Sequence, residues 1–298
     1  MLRVALLLLV LNTQAFSMDK VLYGEDNRRD WFELSMQEKL LTRKVAAMIP
    51  KNFLSELTDG TYTYTAKLPT LLGKKKLCRD VPYYDQTSLS DCSGFLVAPD
   101  LLITAGHCVS EIENSCSNYS WVFSYNLYGP NRLNYNMPRH DVYHCKEVVK
   151  AKTQTRLDYA LIRLDRPAEQ RSPMKLNRTV KVQPGMEVAT IGHPLGLPTK
   201  YADDGVVLNR SSDYLFSVNL DTFAGNSGSP VFDPKTGDVF GILVRGKIDF
   251  AEDYDRSIGV CYTLNRCNEQ ARNCSEPDRL LGEQVVNIKK VLEEISLE

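Results

Sequence analysis

The stretch TFAGNSGSPVF, residues 222–232, places one serine among glycines immediately before an apolar run. Its glycine neighbours allow Ser227 to sit on a tight turn. The N–H groups of Gly225 and Ser227 can then point together at a negative charge developing on an oxygen atom. The apolar residues after Pro230 favour a strand over a flexible Gly/Ser loop. The stretch therefore predicts a nucleophilic serine placed just ahead of a strand.

A second stretch supplies a base for that serine. Residues 102–108 read LITAGHC, a β-type run that ends on a histidine preceded by small residues. A lone histidine is usually a satisfied core or surface residue, but this string, with Cys92 upstream, favours a catalytic role. A Cys92–Cys108 disulfide would close a hairpin beneath His107 and hold it in place.

A third stretch, LDYALIRL at residues 157–164, begins with an acid that enters an apolar strand. Burying an aspartate there is costly unless a partner compensates for its charge. The ring of His107 would be that partner. The alternative is an ordinary turn aspartate, as at Asp165. The chain order His107, Asp158, Ser227 makes the catalytic interpretation the stronger one.

Together the three stretches resemble those of the trypsin/chymotrypsin clan of serine peptidases. Asn226, at a position where animal trypsins have an aspartate, and the following residues 228–230, GSP, resemble the bacterial secreted glutamyl-endopeptidase branch. Residues 21–28, VLYGEDNR, look like the start of those mature enzymes, and residues 191–198, IGHPLGLP, are similar to a loop of secreted bacterial relatives. The resemblance covers residues 21–270 and is strongest at its two flanking motifs.

The resemblance implies an all-β fold of two six-stranded antiparallel β-barrels, with the active site in the cleft between them and no cofactor. It implies that His107 is the general base and acid, Asp158 its orienting partner and Ser227 the nucleophile. Gly225 and Ser227 would supply the oxyanion N–H groups. The substrate would be a protein or peptide, hydrolysed through an acyl-enzyme.

The pattern of short strand-like runs and turns along the chain agrees with such a fold. From about residue 92, short β-type runs alternate with Pro- and Gly-containing turns, as at residues 94–97, 101–104, 159–164, 187–191 and 239–244. Many short strands with regular turns are typical of all-β sandwiches and barrels.

The chain divides into three predicted segments. Residues 1–17 have one early positive charge, an apolar run over residues 4–11 and small residues near the end, which is typical of a cleavable signal peptide. The run is too short to cross a bilayer, so we expect export without stable membrane association. Residues 18–75 look like a lead-in with a short propeptide, and residues 76–298 form the peptidase domain.

Two helices are predicted outside the strand-rich part. Residues 35–38, SMQE, have the form of a capping box and predict a helix that runs through Ala47 and ends at Pro50. A C-terminal helix is predicted from apolar residues at helical spacing, namely Val285, Val286, Ile288, Val291, Leu292 and Ile295.

The eight cysteines favour disulfides over metal ligation in an exported chain, although 105 pairings are conceivable. His140 and His144 have a spacing that ligates metal on a helix. Their Tyr and Val neighbours suit a strand better, and we expect Cys145 to be disulfide-bonded. We therefore predict no metal site. A stapled loop is expected around Cys261, Cys267 and Cys274.

Specificity stays open at this level. Asp221 lies six residues before Ser227, where trypsins have the pocket aspartate that selects Lys or Arg at P1, and Gly246 aligns with a glycine that leaves such a pocket open. The alternative is that Asp221 ends a strand and caps a local turn. Thr222 corresponds to a pocket threonine of glutamyl endopeptidases, but Leu243 replaces their pocket histidine, which counts against Glu specificity.

Activation also stays open. Val21 follows Lys20, so a trypsin-like cut that removes residues 18–20 would expose a new amino terminus. In trypsin-type zymogens that terminus pairs with an aspartate, and this chain has Asn226 instead. The substitution argues against that form of activation.

The balance of acidic and basic residues limits the classes of binding partner to expect. With 36 basic and 37 acidic residues the net charge is −1, which argues against a nucleic-acid partner. We expect a monomer that is secreted to the periplasm or the medium. The alternative function is a catalytically silent homologue that acts as an extracellular binding protein. A non-peptidase serine hydrolase is opposed by the absence of a Gly-X-Ser-X-Gly elbow.

Overall fold

The structure is a computed structural model that describes residues 21–154, 156–275 and 281–295. The predicted signal peptide at residues 1–17 lies outside the described residues. Within them, β-strands far outnumber helices.

The strands are β1 (Leu22–Tyr23), β2 (Arg29–Asp30), β3 (Val45–Pro50), β4 (Leu54–Glu56), β5 (Tyr62–Tyr64), β6 (Cys92–Ala98), β7 (Leu101–Thr104), β8 (Tyr119–Phe123), β9 (Val142–Gln154), β10 (Leu157–Leu164), β11 (Glu187–Gly192), β12 (Lys200–Asn209), β13 (Leu215–Val218), β14 (Pro230–Phe232), β15 (Val239–Arg245), β16 (Phe250–Asp255), β17 (Gly259–Leu264), β18 (Arg266–Cys267) and β19 (Glu283–Asn287). The α-helices are α1 (Met36–Thr42), α2 (Leu71–Lys74), α3 (His107–Ser110), α4 (Ser115–Asn118) and α5 (Ile288–Leu292). Short 3₁₀ turns occur at Trp31–Glu33, Lys51–Phe53, Arg139–Asp141 and Pro194–Gly196.

Six antiparallel strands close the first barrel in the order β10-β7-β6-β3-β8-β9. Closure removes free strand edges, which would otherwise expose unpaired N–H and C=O groups. Large apolar side chains on its strands are buried in one hydrophobic cluster, among them Phe95, Ile103, Trp121 and Ile162. Strand β10 is buried along almost its whole length, and this buried strand begins with Leu157 and Asp158.

The second barrel follows in the order β11-β14-β15-β19-β13-β12 and is closed by the pairing of β11 with β12. Strand β2 adds to the outer edge of β12. The interior of this second barrel is filled by Val188, Phe216, Val231, Leu243 and Val285. The prediction of two six-stranded antiparallel barrels is therefore confirmed.

The lead-in differs from the prediction. The capping box is confirmed, because the Ser35 hydroxyl accepts the Glu38 N–H and the Glu38 carboxylate accepts the Ser35 N–H. Helix α1 ends at Thr42, however, so the predicted extension to Ala47 is wrong. Residues 45–50 form β3 instead, since pairing with β6 and β8 buries their apolar side chains on both faces. The first barrel thus begins before residue 76, where we placed the domain boundary.

The predicted C-terminal helix exists but starts later. Val285 and Val286 belong to β19, and α5 begins at Ile288, where the Asn287 side chain accepts the Lys289 N–H as a cap. The first apolar residues of the predicted helix form a strand instead, because β19 pairs with β13 on one side and with β15 on the other.

All eight cysteines form disulfides, paired as Cys78–Cys261, Cys92–Cys108, Cys116–Cys145 and Cys267–Cys274. The expected bridge beneath His107 is bonded. Cys145 is bonded and lies on strand β9, as does His144, so the helical ligand spacing does not apply there. Four disulfides indicate an extracellular or periplasmic environment.

No helix within the described ranges is both long and apolar enough to cross a membrane.

Candidate active site

The buried Asp158 carboxylate holds His107 by two hydrogen bonds. His107 opens α3 directly after β7, and Asp158 is the second residue of β10. Asp158 Oδ2 lies 2.8 Å from His107 Nδ1, and Oδ1 accepts the His107 backbone N–H at 3.0 Å. A carboxylate can only accept here, so it keeps a proton on Nδ1 and leaves Nε2 as the basic nitrogen.

The glycine before His107 explains part of the motif. A Cβ atom on Gly106 would lie 1.9 Å from the Lys152 carbonyl oxygen and 2.9 Å from that of Tyr159. Only glycine therefore lets the start of α3 approach the β9–β10 pair closely enough for His107 to reach Asp158. The Cys92–Cys108 disulfide ties the same helix to β6.

Ser227 lies in the loop between β13 and β14 of the second barrel, pressed against the first. Its carbonyl oxygen accepts the Ser93 N–H at 2.8 Å and lies 3.8 Å from Cys108 Sγ, next to His107. Among the described residues, Ser227 Oγ and His107 Nε2 are both buried without a hydrogen-bond partner. A serine hydroxyl and an imidazole nitrogen are thus left without partners at the junction of the barrels.

Cys92, His107 and Cys108 also present their sulfur and nitrogen atoms within 4.8 Å of one another. The two sulfurs are bonded to each other, so they are not thiolate ligands for a metal.

The loop before Ser227 has a backbone conformation and a close contact that both favour glycine at position 225. Gly225 has φ +91°, and a Cβ there would lie 2.4 Å from the His193 carbonyl oxygen. Within the described part of the chain, the N–H groups of Gly225 and Ser227 donate to no acceptor. Both are therefore available to an oxyanion, which is most strongly stabilised by donors already in place.

Asp221 lies beside the N-terminal segment. Its two carboxylate oxygens accept the backbone N–H groups of Tyr23 at 2.7 Å and Asn27 at 3.0 Å, and the residue is only 2% exposed. Burial raises its pKa to about 7, against the lowering effect of these N–H groups and of Arg28. Asp221 thus has a structural role, but it holds the distant N-terminal segment rather than the predicted local turn.

Thr222 is also engaged, since its hydroxyl donates to Glu283 Oε2 at 2.8 Å. Gly246 is buried directly after β15. Two of the three residues predicted to bind substrate, Asp221 and Thr222, are therefore engaged by other parts of the chain.

Arg245 was not predicted from the sequence, yet its Nη2 atom lies 3.9 Å from Asp158 Oδ2. It is the last residue of β15, two residues after Leu243, whose N–H donates to the Ser229 carbonyl. The Arg245 guanidinium therefore approaches the same Asp158 carboxylate oxygen that contacts His107 Nδ1. A charged residue at the end of an otherwise apolar strand was the available signal.

A cavity of about 270 Å³ opens beside Gly225. The residues that line it include Leu71, Lys75, Asp91, Leu195, Asp249 and Phe250. Leu71 and Lys75 come from the end of the lead-in, and the Cys78–Cys261 disulfide just beyond it ties the chain to the β16–β17 hairpin. The lead-in therefore forms one wall of the cavity next to Gly225.

His193 is wholly buried behind that loop. Its ring stacks on Tyr125, with centroids 5.9 Å apart, and contacts the hydroxyls of Ser93 and Thr199. Burial, aided by the charge of Lys200, lowers its pKa to about 3. His193 is therefore neutral at physiological pH.

Acid is expected to destabilise the protein through His193. Its pKa rises from about 3 in the folded chain to 6.5 when unfolded, so the unfolded state binds the proton first as the pH falls below 6.5. This group alone should lower the free energy of unfolding by about 2 kcal/mol between pH 7 and pH 5. Urea unfolding of the wild type and His193→Asn at both pH values measures the effect.

Asp221 also makes the free energy of unfolding depend on pH, but in the opposite direction. Comparing the wild type with His193→Asn separates the two contributions, because Asp221 is present in both proteins. Burial raises the pKa of Asp221 from its ordinary value of 3.8 to about 7 in the folded chain, so its contribution to stability is lost as the pH rises towards 7. Equal pH dependence in wild type and His193→Asn would contradict the assignment.

Comparison with known families agrees with this geometry. The sequence profile of the trypsin-like peptidase domain matches residues 92–242, half of the chain. The chain belongs to the trypsin-like peptidase family and is a serine peptidase. Its substrates are accordingly proteins or peptides. No curated protein matches the sequence.

Solved structures with a similar fold include two proteases. The VesB protease of Vibrio cholerae aligns with a TM-score of 0.50 and 10% identity over 90% of this chain, which spans 65% of that protein. A Glu endopeptidase in complex with MPD aligns with a TM-score of 0.47 and 16% identity over 82% of this chain and 93% of that one. At such identities the likeness to VesB concerns the fold alone.

Proposed function

We propose that this chain is a secreted endopeptidase that cleaves peptide bonds through an acyl-enzyme on Ser227. The observation that carries the proposal is the buried pair of His107 and Asp158, joined at 2.8 Å, with His107 Nε2 and Ser227 Oγ both left without partners at the barrel junction.

In the proposed reaction, Ser227 Oγ attacks the carbonyl carbon of the substrate while His107 Nε2 takes its proton. The N–H groups of Gly225 and Ser227 stabilise the oxyanion, and Asp158 stabilises the charged imidazole. His107 then returns the proton to the leaving amine, and a water molecule, activated in the same way, hydrolyses the ester. The cavity beside Gly225 is placed to receive a side chain next to the cleaved bond.

Asp221 supports the N-terminal segment in this proposal rather than selecting Lys or Arg at P1. Its oxygens already accept two N–H groups. Burial raises its pKa to about 7, so part of the population is uncharged there near pH 7. At 2% exposure, this carboxyl presents little surface to a substrate cation.

Export is proposed from two independent features. Residues 1–17 have the pattern of a signal peptide, and all eight cysteines are paired in four disulfides, which persist in oxidising compartments. We further propose that the exported chain acts as a monomer.

A mixed peptide library tests the reaction and the role of Asp221 together. Oxidatively folded protein without residues 1–17 is expected to cut the library after residues other than Lys and Arg. Asp221→Asn should keep the same residue preference at the cut, because the carboxylate does not contact the substrate. Mass spectrometry of the products measures both.

Ser227→Ala is the control, and every cut should disappear with it. Cleavage restricted to Lys and Arg, and lost from those sites in Asp221→Asn, would return Asp221 to the substrate pocket. No cleavage at all by folded protein would favour the silent binding protein.

A further inference from the structure

Ser93 of the first barrel contacts both residues whose N–H groups face the oxyanion. It lies on β6, is fully buried, and its hydroxyl is 2.8 Å from the Gly225 carbonyl oxygen. Its backbone N–H donates to the Ser227 carbonyl oxygen, also at 2.8 Å. One residue therefore fixes the peptide units that follow Gly225 and Ser227.

The direction of each proton follows from the partners. The single Ser93 hydroxyl proton must go to the Gly225 carbonyl, which can only accept. The His193 Nδ1 atom, 3.1 Å from Ser93 Oγ, must then carry a proton and donate it to that oxygen. His193 Nε2 lies 3.3 Å from the Thr199 hydroxyl, whose own proton goes to the Tyr125 carbonyl at 3.1 Å. Two hydrogen bonds thus run in one direction, from His193 through Ser93 to Gly225.

The His193 backbone adds to this arrangement. Its N–H also donates to Ser93 Oγ at 3.1 Å, so the oxygen accepts two hydrogen bonds and donates one, and all its hydrogen-bonding capacity is used. Since buried hydroxyls with full coordination rarely rotate, we expect the Ser93 proton to stay on the Gly225 carbonyl.

The neighbouring peptide unit is held from the same loop. The Leu195 N–H donates to the Ala224 carbonyl oxygen at 2.5 Å. In a trans peptide the N–H points opposite to the C=O, so this bond turns the Gly225 N–H away from Leu195. The Asn226 carbonyl accepts the Ser229 N–H at 2.9 Å, which orients the Ser227 N–H in the same manner.

The loop that carries His193 and Leu195 is itself tied down. The Gly196 carbonyl accepts the N–H groups of Leu89 at 2.8 Å and Ser90 at 3.2 Å, and the Ser88 hydroxyl donates to the Leu195 carbonyl at 2.5 Å. The segment just before β6 therefore buttresses the loop that holds the oxyanion donors.

We propose that Ser93 is a positioning residue, with its proton directed by His193, which holds the Gly225 peptide so that the Gly225 and Ser227 N–H groups form the oxyanion site. The inference rests on the proposed function, because it deepens the role of the same site. It also explains how a loop with Asn226 in place of aspartate is ordered: the Asn226 side chain contacts Ser229 Oγ at 3.4 Å, and no pairing with a processed amino terminus is needed.

Ser93→Ala tests the proposal. Losing one oxyanion donor typically costs roughly 10²–10³ in turnover, and a donor that is merely less well oriented should cost about 10- to 100-fold. We expect kcat to fall by about that factor with KM nearly unchanged, because the oxyanion forms only in the transition state. A peptide aldehyde, which adds to Ser227, should lose affinity in proportion, whereas the corresponding unreactive alcohol should not.

Ser120→Ala is the matched control. Ser120 is also a fully buried serine on a strand of the first barrel, and its Oγ lies 3.1 Å from His144 Nδ1. It has the same kind of serine–histidine contact away from the oxyanion loop. Its removal should leave kcat and the aldehyde affinity within about twofold of the wild type.

A second pair of variants keeps the test informative if Ser93→Ala folds poorly. In His193→Asn the side-chain NH₂ group can take the place of Nδ1–H and still donate to Ser93, whereas His193→Leu cannot. We expect kcat to be higher for His193→Asn than for His193→Leu by about tenfold at equal amounts of folded protein.

Three outcomes would overturn the proposal. They are a kcat for Ser93→Ala within twofold of the wild type, equal weakening of the aldehyde and the alcohol, or equal kcat values for the two His193 variants. A crystal structure of Ser93→Ala gives a readout independent of activity, and unchanged peptides at residues 224–226 would overturn the proposal too. If the wild type cleaves nothing but these peptides shift, the proposed function fails while the positioning role stands.

Discussion

Ser227→Ala is expected to fold with all four disulfides and to lose peptide hydrolysis by about 10⁶-fold, because the nucleophile and its base act as a unit. The buried Ser227 Oγ has no other hydrogen bond in the described residues, so its loss leaves no buried partner unsatisfied. Cleavage of a fluorogenic peptide found in the library, measured at equal folded protein, gives the ratio.

The exposed Ser55 on β4 provides the matched control. Ser55→Ala makes the same chemical change far from the site and should keep full activity. If Ser227→Ala retained even a hundredth of the wild-type rate, the nucleophile would have to be another residue.

Asp158→Asn is expected to lower kcat by about 10⁴-fold with little change in stability. The Asn side chain can place its NH₂ group where Oδ2 now lies, 2.8 Å from Nδ1. Nδ1 would then accept instead of donating, the ring proton would move to Nε2, and His107 could no longer take the proton of Ser227. Steady-state kinetics on the same peptide measures the loss.

Asp80→Asn is the control, since Asp80 is exposed and the change removes the same charge. Equal activity of Asp158→Asn and the wild type would show that His107 does not depend on this carboxylate.

The motifs around His107 and Ser227 were recognisable in the sequence because short-range sterics require their small residues. Gly106 must be glycine to pass the Lys152 carbonyl, and Gly225 must adopt a positive φ against His193. Because of these steric requirements, small residues cluster around His107 and Ser227 in the sequence. Strands such as 94–97 and 101–104 were predictable for a similar reason, since they are local runs of β-type residues.

The wrong helix boundary shows where local pattern fails. Residues 45–50, VAAMIP, follow a genuine capping box and contain good helix formers. Barrel closure places them between β6 and β8, and the burial and pairing gained there outweigh intrinsic propensity.

The roles of Asp221 and His193 depend on partners far away along the chain. Asp221 meets Tyr23 across 198 positions, and His193 meets Ser93 across 100. The Cys78–Cys261 disulfide spans 183 positions. No local pattern encodes such contacts. The sequence alone therefore decided neither which residues form the substrate pocket nor what orders the loop around Asn226.

Covalent labelling with a fluorophosphonate, followed by peptide mapping, shows whether Ser227 is the reactive nucleophile. We expect one adduct per folded molecule, located on Ser227, absent in Ser227→Ala and greatly slowed in Asp158→Asn. An adduct on another residue, or none on protein whose four disulfides have formed, would contradict it.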